Sequence, residues 1–317
     1  MKSNLRVLFM GTPDFAVHIL RSIHQAGYNI VGVVSVPDKP AGRGQKILES
    51  SVTQFAKENQ LNLLQPSKLK SKKFISELND LQVDVAVVVA FRMLPEVIWQ
   101  IPKLATFNLH ASLLPQYRGA APINWAIING ENETGVTTFL IDKYIDTGHI
   151  LLQQKIDILP NETAGELHDK LMFAGAELVL ETLRGIEEGT LLPQKQNNKF
   201  PLQAAPKIYR DDCKINWNLP LEQIHNFIRG LSPYPAAWTI FSHLEDKKIL
   251  KIYKSSIQYR DHILMPKQFI IENNRLGITH PEGIVWLDEL QLEGKKRLKA
   301  REFINGISIS EETQVVD

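Results

Sequence analysis

The sequence predicts a doubly wound α/β domain with a mostly parallel sheet, followed by a smaller domain of short strands. The chain opens on an apolar strand at 5–10, which meets a helical pattern through a glycine turn at 11–15, as in the first βα unit of such a domain. The run 83–90 is almost wholly branched and apolar, which is typical of a central parallel strand. Beyond residue 209, short strands alternate with glycine and asparagine turns, which indicates a small barrel.

The first helix is expected to run to Ala26, with Thr12 as its N-cap and Pro13 as its first residue. The turn before it lacks the second and third glycines of a dinucleotide-binding fingerprint. Further strands are predicted at 30–36, 61–64, 104–109, 136–141 and 150–158, and further helices at 50–59, 71–79, 123–129 and 163–188. Thr163 and Glu166 predict a capping box at the start of the last of these helices.

Length and composition limit the possible functions. A chain of 317 residues favours about two domains. No apolar run reaches the roughly 18 residues that a membrane span requires, and the early first strand leaves no room for a signal peptide. The single cysteine, Cys213, excludes an internal disulfide, so we expect a reducing, cytoplasmic setting. The net charge of +1 does not by itself indicate a nucleic-acid partner.

Two polar residues end the strand predicted at 104–109. Asn108 and His110 are two apart, so on a strand their side chains share one face. The loops at 91–95 and 110–122 leave the carboxyl ends of neighbouring strands, where open α/β sheets bind ligands. The loop at 142–148 adds carboxylates, among them Asp146.

These residue types suit acyl transfer. An amide offers a donor to an oxyanion, a histidine holds or gives a proton near neutral pH, and Asp146 can orient that histidine or act as a base. The sequence has no Gly-x-Ser-x-Gly motif and no cysteine nearby, so direct transfer is favoured over a covalent intermediate. Two alternatives stay open: a zinc site on His110 and Asp146, for which His149 is a weak third ligand, and a strand edge that satisfies its own backbone.

Five segments together resemble the methionyl-tRNA formyltransferase family, a branch of the folate-dependent formyltransferases. They occur in the order Gly11-Thr12-Pro13-Asp14-Phe15-Ala16, Pro37-Asp38-Lys39-Pro40-Ala41-Gly42-Arg43-Gly44, Asn108-Leu109-His110-Ala111-Ser112-Leu113-Leu114-Pro115, Tyr117-Arg118-Gly119-Ala120-Ala121-Pro122 and Asp146-Thr147-Gly148. The similarity extends over nearly the whole chain. It implies a formyltransferase-like Rossmann fold at 1–189, a linker at 190–208 and an OB-like, tRNA-binding barrel at 209–317.

The resemblance also implies both substrates and the residues of the site. The formyl donor is 10-formyltetrahydrofolate as a co-substrate, the acceptor is the α-amino group of methionyl-initiator-tRNA, and no metal is needed. Asn108, His110 and Asp146 align with the catalytic triad. The residues expected to bind folate are Ser112, Leu113, Leu114, Pro115, Phe91, Arg92, Leu94 and Asp142. The residues expected to contact tRNA are Arg43, Lys39, Lys46 and Lys207.

Local charge in the second half leaves a question open. Basic residues cluster at 247–254 and 295–301, and if they share one face of the barrel they form a patch that tracks phosphates. If they scatter, they are ordinary solubilising charge. We expect a monomer that does not contact membranes.

Three rival functions are compatible with parts of the sequence. A sugar-nucleotide formyltransferase shares the Asn-x-His and Ser-Leu-Leu-Pro segments but does not need the Arg43 loop or a basic barrel. A glycinamide-ribonucleotide enzyme normally lacks the C-terminal domain. A non-enzymatic tRNA-binding protein does not need Asn108, His110 and Asp146 to lie together, so their spatial arrangement discriminates it from an enzyme.

Overall fold

The computed structural model of the protein describes residues 4–41, 46–197, 201–243, 246–262, 264–306, 309 and 313–316. The chain forms two compact units. The first comprises Met1–Gly119, Thr134–Ile156 and His168–Ala204, and the second comprises Ala120–Glu133, Asp157–Leu167 and Ala205–Asp317. Within the described ranges, no helix has both the length and the apolar character needed to cross a bilayer.

The described helices and strands are bounded as follows. The strands are β1 (Arg6–Gly11), β2 (Asn29–Val34), β3 (Lys39–Ala41), β4 (Lys46–Leu48), β5 (Leu63–Leu64), β6 (Val85–Val89), β7 (Ala105–His110), β8 (Arg118–Gly119), β9 (Glu133–Leu140), β10 (Ile150–Asp157), β11 (Ala204–Ala205), β12 (Ala237–His243), β13 (Asp246–Tyr259), β14 (Phe269–Glu272), β15 (Arg275–His280), β16 (Gly283–Leu292), β17 (Leu298–Lys299) and β18 (Thr313–Val316). The helices are α1 (Asp14–Gln25), α2 (Ser51–Glu58), α3 (Lys72–Asp80), α4 (Glu96–Trp99), α5 (Pro122–Ile128), α6 (Ala164–Glu188), α7 (Leu221–Gly230) and α8 (Ala300–Gly306).

The first unit contains a sheet in the order β10-β9-β7-β6-β1-β2-β5. The pairs β1–β2, β1–β6, β6–β7 and β2–β5 are parallel, whereas β9 runs antiparallel to β7. The predicted doubly wound, mostly parallel sheet is therefore confirmed. The strand order reverses between β1 and β6, and β7 lies next to β6, so the Asn108–His110 strand ends at the edge where such sheets bind ligands.

Burial on both faces of the sheet explains the apolar sequences of its central strands. All five residues of β6 are buried, as its valine-rich sequence predicts for a strand covered on both faces. The carboxyl end of β1 packs closely: a Cβ at Gly11 would lie 2.7 Å from the Cβ of Ala16 and 3.0 Å from the Val89 carbonyl oxygen. Only glycine therefore allows the first turn to pass this close to β6.

Side-chain caps are present at the starts of α2, α3 and α6, but not at those of α1, α4, α5 and α7. Thr163 and Glu166 form the predicted capping box, in which the Glu166 carboxylate accepts from the Thr163 amide at 2.8 Å and the Glu166 amide donates to the Thr163 hydroxyl at 3.3 Å. The prediction that Thr12 caps α1 is wrong. Pro13 occupies the N-cap position with an extended backbone and no side-chain cap, and the helix begins at Asp14.

The second unit contains a curled antiparallel sheet in the order β14-β15-β16-β13-β12-β18, with β17 paired to β16. An isolated antiparallel bridge between Gln268 and Gln314 brings the two ends of this order together. Alternate residues of β13, such as Leu250 and Ile252, point into the core, where Trp217 and Phe303 are also buried. The OB-like barrel class is confirmed, although β18 and α8 carried too weak a pattern to be predicted.

Candidate active site

The site is built around the end of β7. His110 is 6% exposed, and its Nδ1 lies 3.8 Å from Oδ2 of Asp146, whose side chain is also largely buried. Asn108 lies two residues earlier on the same strand and so on the same face. The structure therefore brings a histidine, a carboxylate and an amide to the carboxyl edge of the sheet.

The hydrogen bond on the other side of the imidazole decides which nitrogen carries the hydrogen. His110 Nε2 lies 2.8 Å from the main-chain carbonyl oxygen of Tyr117. Because a carbonyl can only accept, Nε2 is the donor and bears the hydrogen. Nδ1, which faces Asp146, is then the ring atom that can take up or release a proton.

Asn108 has a buried atom in need of a partner. Its Oδ1 is shielded from solvent and has no hydrogen-bond partner among the described residues. Leaving such an atom unpaired costs about 1–3 kcal/mol.

The carboxylate is held by a strained turn. Asp146 has φ of 54°, a left-handed conformation that is uncommon for a residue with a side chain. Its Oδ2 accepts from the Gly119 amide at 2.9 Å. Gly148, two residues on, has no room for a side chain, since a Cβ there would lie 1.7 Å from the Leu140 carbonyl oxygen. Asp142 accepts from the Tyr144 amide at 2.9 Å and from the Thr147 hydroxyl, so its carboxylate orders this loop.

The segment 112–115 is locked by the protein itself. The buried hydroxyl of Ser112 donates to the Gln116 carbonyl at 2.6 Å, and the Thr137 hydroxyl donates to the Ser112 carbonyl at 2.7 Å. The Leu114 carbonyl accepts from Gln153 at 3.0 Å. Ser112 and Leu114 therefore shape the loop, whereas Leu113 and Pro115 keep partial exposure.

The loop that follows β6 is anchored by Arg92. Its guanidinium donates to the Pro66 carbonyl and, at 3.4 Å, to that of Ser67, and it lies 5.5 Å from the centre of the Phe91 ring. Burial lowers the pKa of Arg92. Leu94 packs into the core of the first unit, so Phe91 and Arg92 are the partly exposed members of the three predicted residues.

The residues expected to contact tRNA lie in separate places along the chain. Lys39 and Lys46 belong to the paired strands β3 and β4, and Arg43 falls outside the described residues. Lys207 lies in the second unit, with its Nζ 5.1 Å from the centre of the Tyr209 ring.

Lys207 also lines a pocket of about 400 Å³ that lies wholly within the second unit. Two more cations, Arg210 and Lys251, contribute to its wall, together with the aromatic rings of Tyr234 and Trp238. Lys251 is the cross-strand partner of Trp238, so the strand register places a cation beside an aromatic ring.

Two residues of the basic clusters in the C-terminal half are paired with carboxylates. Lys248 pairs with Asp246, and Arg297 pairs with Glu289 while its guanidinium lies 4.0 Å from the centre of the Tyr253 ring. Two of the cluster charges are therefore balanced locally, whereas Lys251, which belongs to the first cluster, lines the pocket together with Lys207 and Arg210.

The described residues include no group of three histidine, cysteine or carboxylate side chains placed to hold a metal ion. His149, the weak third zinc ligand, is exposed. Burial raises the pKa of the Cys213 thiol to about 11, so this cysteine stays protonated at neutral pH and is a poor nucleophile.

Comparison with known proteins assigns the chain to a family. The sequence model described as formyl transferase matches residues 4–183, and the model of the formyl transferase C-terminal domain matches residues 207–308. The chain belongs to the formyl transferase family. A methionyl-tRNA formyltransferase from Bacteroides fragilis is 50% identical over 98% of this chain and 97% of its own. One from Flavobacterium johnsoniae is 49% identical over 98% and 99% of the two chains.

Solved structures support the formyl transferase fold. A crystal structure of an N-formyltransferase from Helicobacter canadensis, in complex with folinic acid and dTDP-3-aminofucose, superposes with a TM-score of 0.63. It is 24% identical and covers 89% of this chain and 98% of that chain. At this identity the similarity concerns the fold alone.

Sequence reasoning missed the residues that hold the site together. The Tyr117 carbonyl, the Gly119 amide and the Gln196 side chain contact His110 or the Asp146 turn. Tyr117 and Gly119 belong to a segment that the resemblance does single out, but they act through main-chain atoms, which sequence patterns do not report. Gln196 lies in the segment expected to be a linker.

Proposed function

We propose that this protein transfers a formyl group from 10-formyltetrahydrofolate to the α-amino group of methionyl-initiator-tRNA, which prepares the initiator for translation. The observation that carries the proposal is the convergence of Asn108, His110 and Asp146 at the end of β7. The names of relatives about 50% identical over nearly the whole chain support the choice of acceptor, and the folinic acid bound in a solved structure of the same fold supports a folate donor. We expect the enzyme to work in the cytoplasm as a monomer without a metal.

The reaction is direct attack of the amine on the formyl carbon. A new C–N bond forms while the formyl oxygen takes on negative charge, and the amide Nδ2 of Asn108 donates to that oxygen. The bond from the formyl carbon to the folate nitrogen then breaks. His110 Nδ1, with Asp146, passes the proton lost by the amine to the departing nitrogen, so no covalent enzyme intermediate is needed.

The folate co-substrate is assigned to the same edge of the sheet. Phe91 and Arg92 on one loop, Leu113 and Pro115 on the next, and the main chain beside Asp142 are the accessible parts of the segments expected to hold it. These loops are supported from the protein interior by three buried residues, Ser112, Leu114 and Leu94.

The tRNA is assigned to the cationic and aromatic surface of the second unit, in addition to Arg43, Lys39 and Lys46. Lys207, Arg210 and Lys251 surround one pocket with Tyr234 and Trp238. Cations bind phosphates and aromatic rings stack on unpaired bases, which is the combination that single-stranded ends of nucleic acids need.

The decisive assay is formylation of methionyl-tRNA by a 10-formyl folate without added metal. Asn108→Ala is expected to lower kcat by about 10²–10³ because it removes an oxyanion donor. The control is Asn79→Ala, at an exposed position of α3, which should leave kcat unchanged. Turnover of an amino-sugar nucleotide but not of methionyl-tRNA would overturn the proposed acceptor.

The salt dependence of the reaction tests the tRNA surface. The KM for methionyl-tRNA should rise with salt, and Lys251→Gln should reduce the slope of log KM against log salt by about 1. Lys248→Gln is the matched control on the same strand, because Lys248 already pairs with Asp246. Equal slopes for wild type and Lys251→Gln would show that Lys251 does not belong to the surface that binds tRNA.

A further inference from the structure

The backbone conformation at Asp146 is maintained by contacts with other residues. The left-handed backbone of Asp146 is uncommon outside glycine, although aspartate tolerates this conformation better than most residues with a side chain. The Gly119 amide fixes one carboxylate oxygen, but that contact does not restrain the main chain of the turn.

The main chain of the turn is held by Gln196. The side-chain Nε2 of Gln196 donates to the carbonyl oxygen of Asp146 at 2.9 Å and to that of Gly148 at 2.8 Å. One amide group thus joins the two carbonyls on either side of Thr147. Gln196 is 6% exposed, so water competes little for these hydrogen bonds.

Gln196 is itself fixed by Arg118. The guanidinium Nε of Arg118 donates to Oε1 of Gln196 at 3.1 Å, and a terminal guanidinium nitrogen donates to the same oxygen. Both ends of the Gln196 amide are therefore engaged, which leaves its orientation no freedom.

The contacts of Gln196 with Arg118 and with the two carbonyls form a clamp on the turn. Three consecutive residues, 117–119, connect this clamp to His110 and Asp146. The Tyr117 carbonyl accepts from His110, Arg118 holds Gln196, and the Gly119 amide donates to the Asp146 carboxylate. A shift of Gln196 relative to 117–119 therefore changes the separation between Asp146 Oδ2 and His110 Nδ1, now 3.8 Å.

We propose that Gln196 is a positioning residue for formyl transfer, which sets the distance between Asp146 and His110 through the carbonyls of Asp146 and Gly148. This inference rests on the proposed function. It assigns a role in the reaction to a residue outside every segment that the sequence singled out as catalytic or substrate-binding.

The test compares two glutamines two residues apart. Gln196→Met keeps the length of the side chain but loses all its hydrogen bonds. Gln194→Met is the control, because the Gln194 side chain is exposed. Since a displacement of about 1 Å costs up to about 10²-fold, we expect kcat for methionyl-tRNA to fall about 10- to 100-fold in Gln196→Met, with KM for both substrates within about threefold of wild type. Gln194→Met should match wild type.

Gln196→Glu separates the two ends of the amide. The carboxylate still accepts from Arg118 but cannot donate to the two carbonyls, so kcat should fall at least as far as in Gln196→Met. Wild-type kcat in Gln196→Glu would overturn the inference, because it would mean that the donors do not matter.

A double-mutant cycle distinguishes positioning from a general structural effect. If Gln196 acts through Asp146, adding Gln196→Met to Asp146→Asn should lower kcat no further, within about twofold. Multiplicative losses would overturn the inference, because they would show that Gln196 acts independently of Asp146.

Hydrogen–deuterium exchange provides a readout that needs no turnover. Amides of 142–148 should exchange faster in Gln196→Met than in Gln194→Met. If wild type does not formylate methionyl-tRNA but the two variants still differ in exchange, the proposed function is wrong, whereas the role of Gln196 in ordering the turn is supported. If wild type is active and the two variants have equal kcat and equal exchange, the inference is overturned and the proposed function stands.

Discussion

Two histidines, one in each compact unit, are equally buried at 6% exposure and yet have opposite surroundings. His110 lies beside the Asp146 carboxylate and shares its strand with Asn108, whose buried amide oxygen has no hydrogen-bond partner among the described residues. His225 has both ring nitrogens engaged, Nδ1 by the Ser255 hydroxyl at 3.1 Å and Nε2 by the Asn161 side chain at 3.2 Å.

The two rings also differ in the charge of their neighbours. Burial and the nearby Arg229 guanidinium lower the pKa of His225 to about 4, so this ring is neutral at physiological pH. His110 has instead a carboxylate beside it, with Oδ2 of Asp146 3.8 Å from Nδ1. Burial alone therefore does not separate the histidine proposed to be catalytic from the structural one, whereas the charge of the neighbouring groups does.

The largest expected difference between the two histidines is in turnover. His110→Ala should lower kcat for methionyl-tRNA by about 10²–10³, the range for loss of a group that stabilises the transition state. His225→Gln retains hydrogen-bonding groups and should leave kcat within about twofold of wild type at temperatures where it is folded. Steady-state kinetics of both variants checks this, and equal losses of kcat would contradict the comparison.

The sequence predicts the fold and the catalytic strand because both follow from short-range patterns. The valine run of β6 predicts a central strand, and the spacing of Asn108 and His110 places them on one face. The contacts that hold the Asp146 turn and His225 in place instead join residues far apart in the sequence. Gln196 contacts a turn 50 residues earlier in the chain, and His225 contacts Asn161 64 residues earlier, distances at which no local periodicity operates.

The same limit applies to the Thr12 prediction, which is wrong, and to the basic clusters, whose arrangement the sequence left open. Thr12 satisfies the rule for an N-cap, but the preference is local, and Pro13 takes the position with no side-chain cap. The basic clusters of β13 and of the segment before α8 are obvious in the sequence, yet the structure pairs Lys248 and Arg297 with carboxylates and places Lys251 beside Lys207 and Arg210 at one pocket.

The next largest effect is on the pH dependence of stability. The folded protein keeps His225 neutral down to a pKa of about 4, whereas the unfolded chain binds a proton near the ordinary value of 6.5. Between these values the unfolded state holds more protons, so the free energy of unfolding falls as pH drops from about 6.5 to 4. The loss attributable to His225 is roughly 3 kcal/mol at most, at about 1.4 kcal/mol for each pKa unit.

Urea unfolding at several pH values checks this. His225→Gln should show a shallower decline of stability between pH 6.5 and 4 than wild type. Ser255→Ala is the matched control, because it removes one hydrogen bond to the ring but leaves the ring able to titrate. It should lower stability at every pH and retain the slope, and identical slopes in all three proteins would mean that His225 is not buried as a neutral ring.

The smallest effect concerns the segment that contacts His225. Thr163 follows Asn161 closely and caps α6 through the Glu166 amide, and its own amide and hydroxyl lower the pKa of the Glu166 carboxyl by donating to it. Thr163→Ala should therefore cost about 1 kcal/mol of unfolding free energy while kcat stays unchanged. Thr190→Ala, just past the other end of α6 and exposed, should change stability by less than about 0.5 kcal/mol. A loss of kcat in Thr163→Ala would show that the surroundings of His225 contribute to turnover, and the separation between a catalytic and a structural histidine would then not hold.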